Sequence, residues 1–485
     1  MLQRLKSCFH PIWLPFLLFI AVLSALYAYG AQQTLPSSLT VSGWRVGGLA
    51  YTEFQTQWQE QIRGLRKQKV RLTASIEGIP AQELTFEQLG FYLNEEEIAS
   101  QVDGLFRGSM LQRIKHRWDL SSERDLRVKT RFERSLLARS VEAAWKELYE
   151  KQPQNAKRWI SLEDEVKYEP ERNVTRIDII GLQNRLSAIV PPAGSLSNYS
   201  KKERLIVVPM PIYEERPPVT LESLRKQGVE RKISAFATAF PASGEGRIHN
   251  IRSAAATIHD MLLRPNEVFD YSWVVQQTET QFGFKEAPVI MGGKLVPGIG
   301  GGICQVSTTL YNAVLRSGLS VLERRNHSLP VSYVPLGQDA TFASGYINFT
   351  FRNTTGSYLL IRTEVTDQDI TVKLFGRMPR EYTYEIESKV LEKIEPAVKY
   401  VHNPKLPIGA REKISDGRPG YVVETYRYKK LGGVVVGQEI ISKDRYAAQP
   451  AVIATNSGDI RPGPQEYGPQ SEHIVEDGVK GPVYP

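Results

Sequence analysis

From Pro11 to Tyr29 the chain runs without a charged residue, long enough to cross a bilayer core as a helix, and the sequence has no second run of this kind. Arg4 and Lys6 precede it and the next basic residue is Arg45. The positive-inside bias therefore predicts a cytoplasmic N-terminus over residues 1–10, a single-pass transmembrane anchor over 11–30, and everything beyond on the outer side of the membrane. A cleaved signal peptide is the rival, because Ala28-Tyr29-Gly30 offers small residues to a signal peptidase, but the run is longer than a usual signal core. In either case Cys8 stays inside or is removed. Cys304 then stands as a lone thiol in an exported protein, exposed to oxidation unless it is buried or used.

The remaining features follow from that placement. At 485 residues the chain exceeds one ordinary core, so several domains are expected. The net charge of +8 is spread along the chain, which speaks against nucleic acid and for a weak attraction to an anionic wall or lipid surface. The fold class expected is α+β multidomain. Residues 34–219 read as an α+β region, with an amphipathic helix over Phe132–Tyr149 flanked by half-buried strands at Val70–Ile76 and Arg204–Pro209. Pro217-Pro218 and Leu221–Gly228 read as a linker. A glycine-rich α+β block spans 232–378, a small all-β module 381–455, and a tail expected to be disordered 456–485.

The chemistry concentrates in Gly300-Gly301-Gly302-Ile303-Cys304-Gln305-Val306-Ser307-Thr308-Thr309, where glycines run up to the cysteine and then stop. Val306, Leu310 and Val314 follow four apart and Gly318 closes the run, so a glycine loop feeds a helix whose first turn holds Cys304. Such a place lowers a thiol's pKa through unpaired amides and the helix dipole, and the same amides can hold a developing oxyanion. The alternative is a small buried cysteine closing a tight loop. His327 is the best-placed base, ahead of His249 and His259, and Asp339 is a candidate to orient its imidazole. Arg324 and Arg325 are candidates to grip a substrate carboxylate, with Ser307 and Thr308 as further substrate contacts. Cys304, His327 and Asp339 lack zinc spacing, so neither a metal nor another cofactor is expected.

These residues resemble a known family. The run 233–377, with Gly300 to Ala313, Glu323-Arg324, His327-Ser328 and Tyr333 to Thr341, looks like a VanW domain. Residues 40–219, most visibly 127–189, resemble the peptidoglycan-binding domain that often precedes VanW. Residues 381–455 resemble the five-glycine wall-associated (G5) module, with Asn403-Pro404, Gly409, Gly417, Gly420 and Gly437. The resemblance implies a cell-wall protein that binds peptidoglycan, with a link to vancomycin-resistance clusters and to cysteine L,D-transpeptidase activity on tetrapeptide stems. The motif cysteine, here Cys304, would be the nucleophile. A non-catalytic wall-binding scaffold and a cysteine peptidoglycan hydrolase are the alternatives. The sequence departs from the family's pattern at Asn266, at Asp270-Tyr271-Ser272 and at Asn348.

Overall fold

The computed structural model describes residues 13–76, 78–122, 125–190, 205–241, 243–456 and 474–481. The cytoplasmic stretch expected over 1–10 lies outside these residues, as do 457–473 and 482–485 of the tail. Trp13–Ala31 is a helix with the length and hydropathy of a membrane span, and it buries little of its surface against the rest of the chain. The described chain divides into two units: residues up to Asn155 with Glu171–Pro218, and Ala156–Pro170 with everything from Val219 onward.

In the first unit the helix Tyr51–Arg66 buries Phe54, Trp58, Ile62 and Leu65, one stripe at helical spacing. Trp44 stacks on Phe54 and Trp58. Ile206–Pro209 runs parallel to Lys69–Thr73, which pairs antiparallel with Gln82–Thr85. The helix expected over Phe132–Tyr149 is two helices, Arg134–Ala144 and Lys146–Glu150. Trp145 leaves helical geometry between them, at φ −121° and ψ 44°, so that its buried indole N–H donates to the Pro80 carbonyl at 2.9 Å. Leu137, Val141 and Trp145 are the core positions, whereas Leu136 faces solvent.

The second unit begins differently from the sequence expectation. The supposed linker contains a helix, Leu221–Lys226, fixed by a capping box between Thr220 and Ser223 and anchored by buried Leu224. The hairpin Lys157–Ile160/Val166–Glu169, assigned from sequence to the 34–219 domain, belongs to this unit. Asp164 in its turn binds Lys232 at 2.6 Å and Lys373 at 2.8 Å, and the Tyr168 hydroxyl donates to the Val229 carbonyl.

The centre of the unit is an antiparallel sheet in the order Arg231–Ala239, Asp369–Gly376, Leu359–Val365, Met261–Leu263. The helix Ile303–Arg316 packs on it and is buried from Ile303 to Leu315. Glu245–Ile258 and Tyr271–Phe282 complete the helical layer around a shared apolar core. From Tyr382 to Thr455 every helix or strand element is a strand. One sheet has Gly420–Leu431 between Tyr382–Ile394 and Val434–Tyr446, and a second has Ala451–Thr455 between Val398–His402 and Arg411–Ser415. Gly432 and Gly433, both at positive φ, form the two-residue turn that the sequence marks.

The expectation of disorder after 456 does not hold for residues 474–481. Val475–Glu476 adds as a third strand to the hairpin Glu286–Met291/Lys294–Ile299. The Val479 amide then donates to Ile299 O, and the Ile299 amide to Lys480 O, both at 2.8 Å.

Candidate functional site

The glycine loop is shaped by backbone requirements. Gly300 and Gly302 sit at φ +91° and +108°, which side chains rarely tolerate. Gly301 has no room, since a Cβ there would lie 2.3 Å from the Pro288 carbonyl oxygen. Gly301→Ala is accordingly expected to destabilise the second unit by about 1–3 kcal/mol through backbone displacement, read as a lower urea midpoint. An unchanged midpoint would contradict this packing.

Gly302 ends the loop as the N-cap and Cys304 falls in the first turn, as the spacing predicts. The thiol is fully buried. Its sulfur accepts from the Phe342 amide at 3.0 Å and lies 3.5 Å from the Phe342 carbonyl. Of the residues expected to form an oxyanion site, Gly300, Gly301, Gly302 and Gln305, the Gly302 amide donates at 3.1 Å to one oxygen of Asp477, which also accepts from the Cys304 amide at 2.9 Å. The other Asp477 oxygen pairs with Arg247 at 3.1 Å, and Arg247 also donates to Gln305 Oε1 at 2.9 Å. Gln305 is held in turn by Thr238 Oγ1 and the Ala239 carbonyl, both at 3.0 Å. The thiol pKa is therefore raised rather than lowered: burial is the main cause, and the Asp477 charge at the helix start adds to it. The sequence expectation of a depressed thiol pKa fails here first because the thiol is fully buried, and second because a carboxylate fills the place that would stabilise the thiolate.

His327 and Asp339 come together as expected, with Nδ1 2.6 Å from Asp339 Oδ2 and the His327 amide donating to the same oxygen at 2.7 Å. Both are buried. The second Asp339 oxygen accepts from the Tyr446 hydroxyl at 2.5 Å and from Arg324 at 3.3 Å. His327 Nε2 has no hydrogen-bond partner among the described residues, and no hydrogen bond joins it to Cys304. Burial alone would raise the Asp339 pKa, but the hydrogen bond and charge of His327, together with Arg324, outweigh it and hold the carboxyl at about 2. Burial disfavours the imidazolium, yet the Asp339 hydrogen bond and charge leave the His327 pKa raised, helped by Asp477 and Glu476.

A pH dependence follows with a definite sign. The Asp339 contribution, about 2 kcal/mol, is full above its unfolded pKa and is lost as pH falls towards 2. The His327 contribution is full below its unfolded pKa of about 6.5 and fades as pH rises through its raised folded value. Urea midpoints are expected to be highest between roughly pH 4 and 6.5 and to fall on both sides, and Asp339→Asn is expected to flatten the profile. A wild-type profile no steeper than the variant's would contradict the pairing.

Three assignments made from sequence change. Arg324 does not face a substrate: its side chain is 5% exposed, makes a bidentate pair with Asp444 at 2.6 and 2.7 Å, and lies over the Tyr311 ring. Ser307 and Thr308 are fully buried and bond the backbone of Ala340, so they fasten the Asp339–Phe342 stretch to the helix. Arg325 is exposed and has no ion pair among the described residues. His249 bonds the Gly283 carbonyl and His259 bonds Thr363, which gives each a structural place. The departures at 270–272 and 348 form one cluster, with Asp270 capping the helix Tyr271–Phe282 and accepting from Asn348 at 2.7 Å. Asn266 adopts φ +64°, a conformation that asparagine tolerates better than most residues. Arg247, Tyr446, Asp444 and Asp477 were not legible as site residues.

Comparison with known proteins agrees with this architecture. Residues 246–375 match the family model described as VanW like protein, and residues 385–456 match the G5 domain. The chain is 39% identical over 146 residues to the uncharacterized protein YoaR of Bacillus subtilis strain 168, covering 30% of this chain and 48% of that protein. It is 29% identical over 147 residues to the vancomycin B-type resistance protein VanW of Enterococcus faecalis strain ATCC 700802 / V583, covering 29% and 54%. The chain thus spans about half the length of these curated relatives. A solved G5 domain of an IgA1 protease aligns at 26% identity over 16% of this chain and 89% of that one, with a TM-score of 0.13, too low to carry an argument. The chain carries a VanW-like domain followed by a G5 domain. That pairing points to a cell-wall-associated protein with a peptidoglycan-related role.

Proposed function

We propose that this is a membrane-anchored, extracytoplasmic protein that binds peptidoglycan and remodels it by acyl transfer through Cys304. The observation that supports the reading most is a carboxylate oxygen hydrogen-bonded to the amides of Gly302 and Cys304 beside the thiol. Those donors are disposed to hold a negatively charged oxygen, as acyl transfer requires. The proposed sequence starts with attack of the Cys304 sulfur on the carbonyl carbon after the third residue of a tetrapeptide stem. The thiol proton passes to His327, held in orientation by Asp339 as a positioning residue. The C–N bond breaks, the terminal D-alanine leaves with that proton on its amine, and a thioester remains. An amine of a neighbouring stem then attacks the thioester carbonyl, losing a proton to His327, and sulfur leaves as the thiol.

A second reading is favoured by one specific observation. The buried thiol with a raised pKa is also what a structural cysteine in a wall-binding scaffold would show. Product analysis after incubation of the full chain with disaccharide-tetrapeptide muropeptides separates the two. Cross-linked dimer formed by wild type and not by Cys304→Ala is expected from transfer, and shortened monomer with free D-alanine from hydrolysis by the same thiol. Unaltered muropeptide that binds both proteins equally would leave the scaffold.

A further inference from the structure

The 474–481 segment lies at the start of the helix that carries Cys304 and is held in the manner of a bound peptide. Val475 and Glu476 extend the edge of the Glu286–Met291 strand, with Ile290 opposite Glu476 and Met291 opposite Val475. This is strand addition, in which main-chain bonds bind a peptide with little regard to its side chains. Specificity comes from two carboxylates. Asp477 is taken by the amides of Gly302 and Cys304 and by Arg247, while Glu476 accepts from the Ser328 amide at 2.9 Å and the Ser328 hydroxyl at 3.0 Å. Beside Ser328, fully buried His327 keeps an Nε2 without a hydrogen-bond partner among the described residues. Unpaired buried nitrogens are uncommon in folded proteins and suit a ligand not yet present. A groove of about 1460 Å³ opens from this point, lined among others by Arg247, Gln305, Tyr333, Arg418 and Gln449, with Asp477 in its wall.

We propose that the Glu286–Met291 edge and the start of the Cys304 helix, together with the adjoining groove, form a binding site for an extended peptide carrying free carboxylates, its edge and helix-start part occupied in cis by residues 474–481 until a peptidoglycan stem peptide displaces them. The stem as occupant rests on the functional reading above; the carboxylate-peptide site does not. A stem peptide has the required chemistry, an extended backbone with carboxylates along it, and the groove is large enough for the attached sugars. In the cis-occupied state the thiol is buried against the Phe342 backbone, and Asp477 holds the amides of Gly302 and Cys304. Displacement takes Asp477 off the amides of Gly302 and Cys304 and frees those donors for the substrate, so binding and activation become one event.

The test compares full-length wild type and Asp477→Ala in detergent, reading the rate of Cys304 alkylation by iodoacetamide with and without two probes. The probes are a disaccharide-tetrapeptide muropeptide and a synthetic peptide of residues 474–481. The variant is expected to be alkylated about tenfold faster or more, to bind the muropeptide about tenfold more tightly, and to be protected from alkylation by either probe. Protection by the synthetic peptide and not by the muropeptide would keep the carboxylate-peptide site and overturn the stem as its occupant. A folded variant alkylated no faster than wild type would overturn the proposal. Hydrogen exchange on wild type needs no variant. Muropeptide at saturation is expected to deprotect the Val479 and Ile299 amides, and unchanged protection in the bound protein would likewise overturn displacement.

Discussion

Asp339→Ala is expected to cost the second unit about 3–5 kcal/mol, the largest stability loss of any single substitution considered for this molecule. The carboxylate accepts from the His327 amide, His327 Nδ1, the Tyr446 hydroxyl and Arg324, and it is 1% exposed. Removing it leaves those donors buried with fewer acceptors, and leaves Arg324 to rely on Asp444 alone. The substitution also unties two parts of the chain, because Tyr446 comes from the all-β module and His327 from the VanW block. Urea unfolding followed at pH 6 measures the loss. Asp367→Ala, which removes a largely exposed partner of Arg252, should leave the midpoint almost where it was. Comparable midpoints for Asp339→Ala and Asp367→Ala would contradict the account of a buried, shared carboxylate.

Cys304→Ala should behave in the opposite way, sparing the fold and removing the chemistry. Among the described residues the sulfur hydrogen-bonds the backbone of Phe342 and the side chain packs in the apolar core, so its loss is expected to cost about 1–2 kcal/mol, the price of a small cavity. Turnover of a tetrapeptide muropeptide, in contrast, should fall by about 10⁴–10⁶-fold, since without the nucleophile only binding and the backbone amides remain. Muropeptide binding should persist, because Arg247 and the amides of Gly302 and residue 304 are untouched. A variant that loses stability and binding together would assign Cys304 to packing. On the proposed function these two substitutions divide the site, with loss of stability expected from Asp339→Ala and loss of turnover from Cys304→Ala.

Local features of the site were legible in the sequence, and long-range ones were not. The glycine run, the four-residue spacing of Val306, Leu310 and Val314, and Gly318 specify a loop and helix within a short window, and the helix forms at Ile303–Arg316. The His327–Asp339 pair closes over only 12 residues, and a turn aspartate near a histidine is enough to suggest it. Asp477 meets Cys304 across 173 residues, from a stretch without apolar periodicity, so nothing local distinguished it from a solvated tail. Arg324 was misread for the same reason. Its partner Asp444 lies 120 residues away in another module, and a buried arginine looks like a surface one until its partner is known. The break at Trp145 reflects tertiary packing prevailing over helical periodicity, as its indole reaches Pro80.

The central claim is that Cys304 forms a covalent acyl intermediate with a peptidoglycan stem. Intact-protein mass spectrometry of the full chain, quenched in acid after brief incubation with a disaccharide-tetrapeptide muropeptide, tests it most directly. The account predicts a mass increase equal to the muropeptide less its terminal D-alanine, mapped to Cys304 by peptide digestion and lacking in Cys304→Ala. The contradicting result is an unmodified Cys304 in protein that has bound the muropeptide and whose 474–481 segment has been displaced, as read by hydrogen exchange.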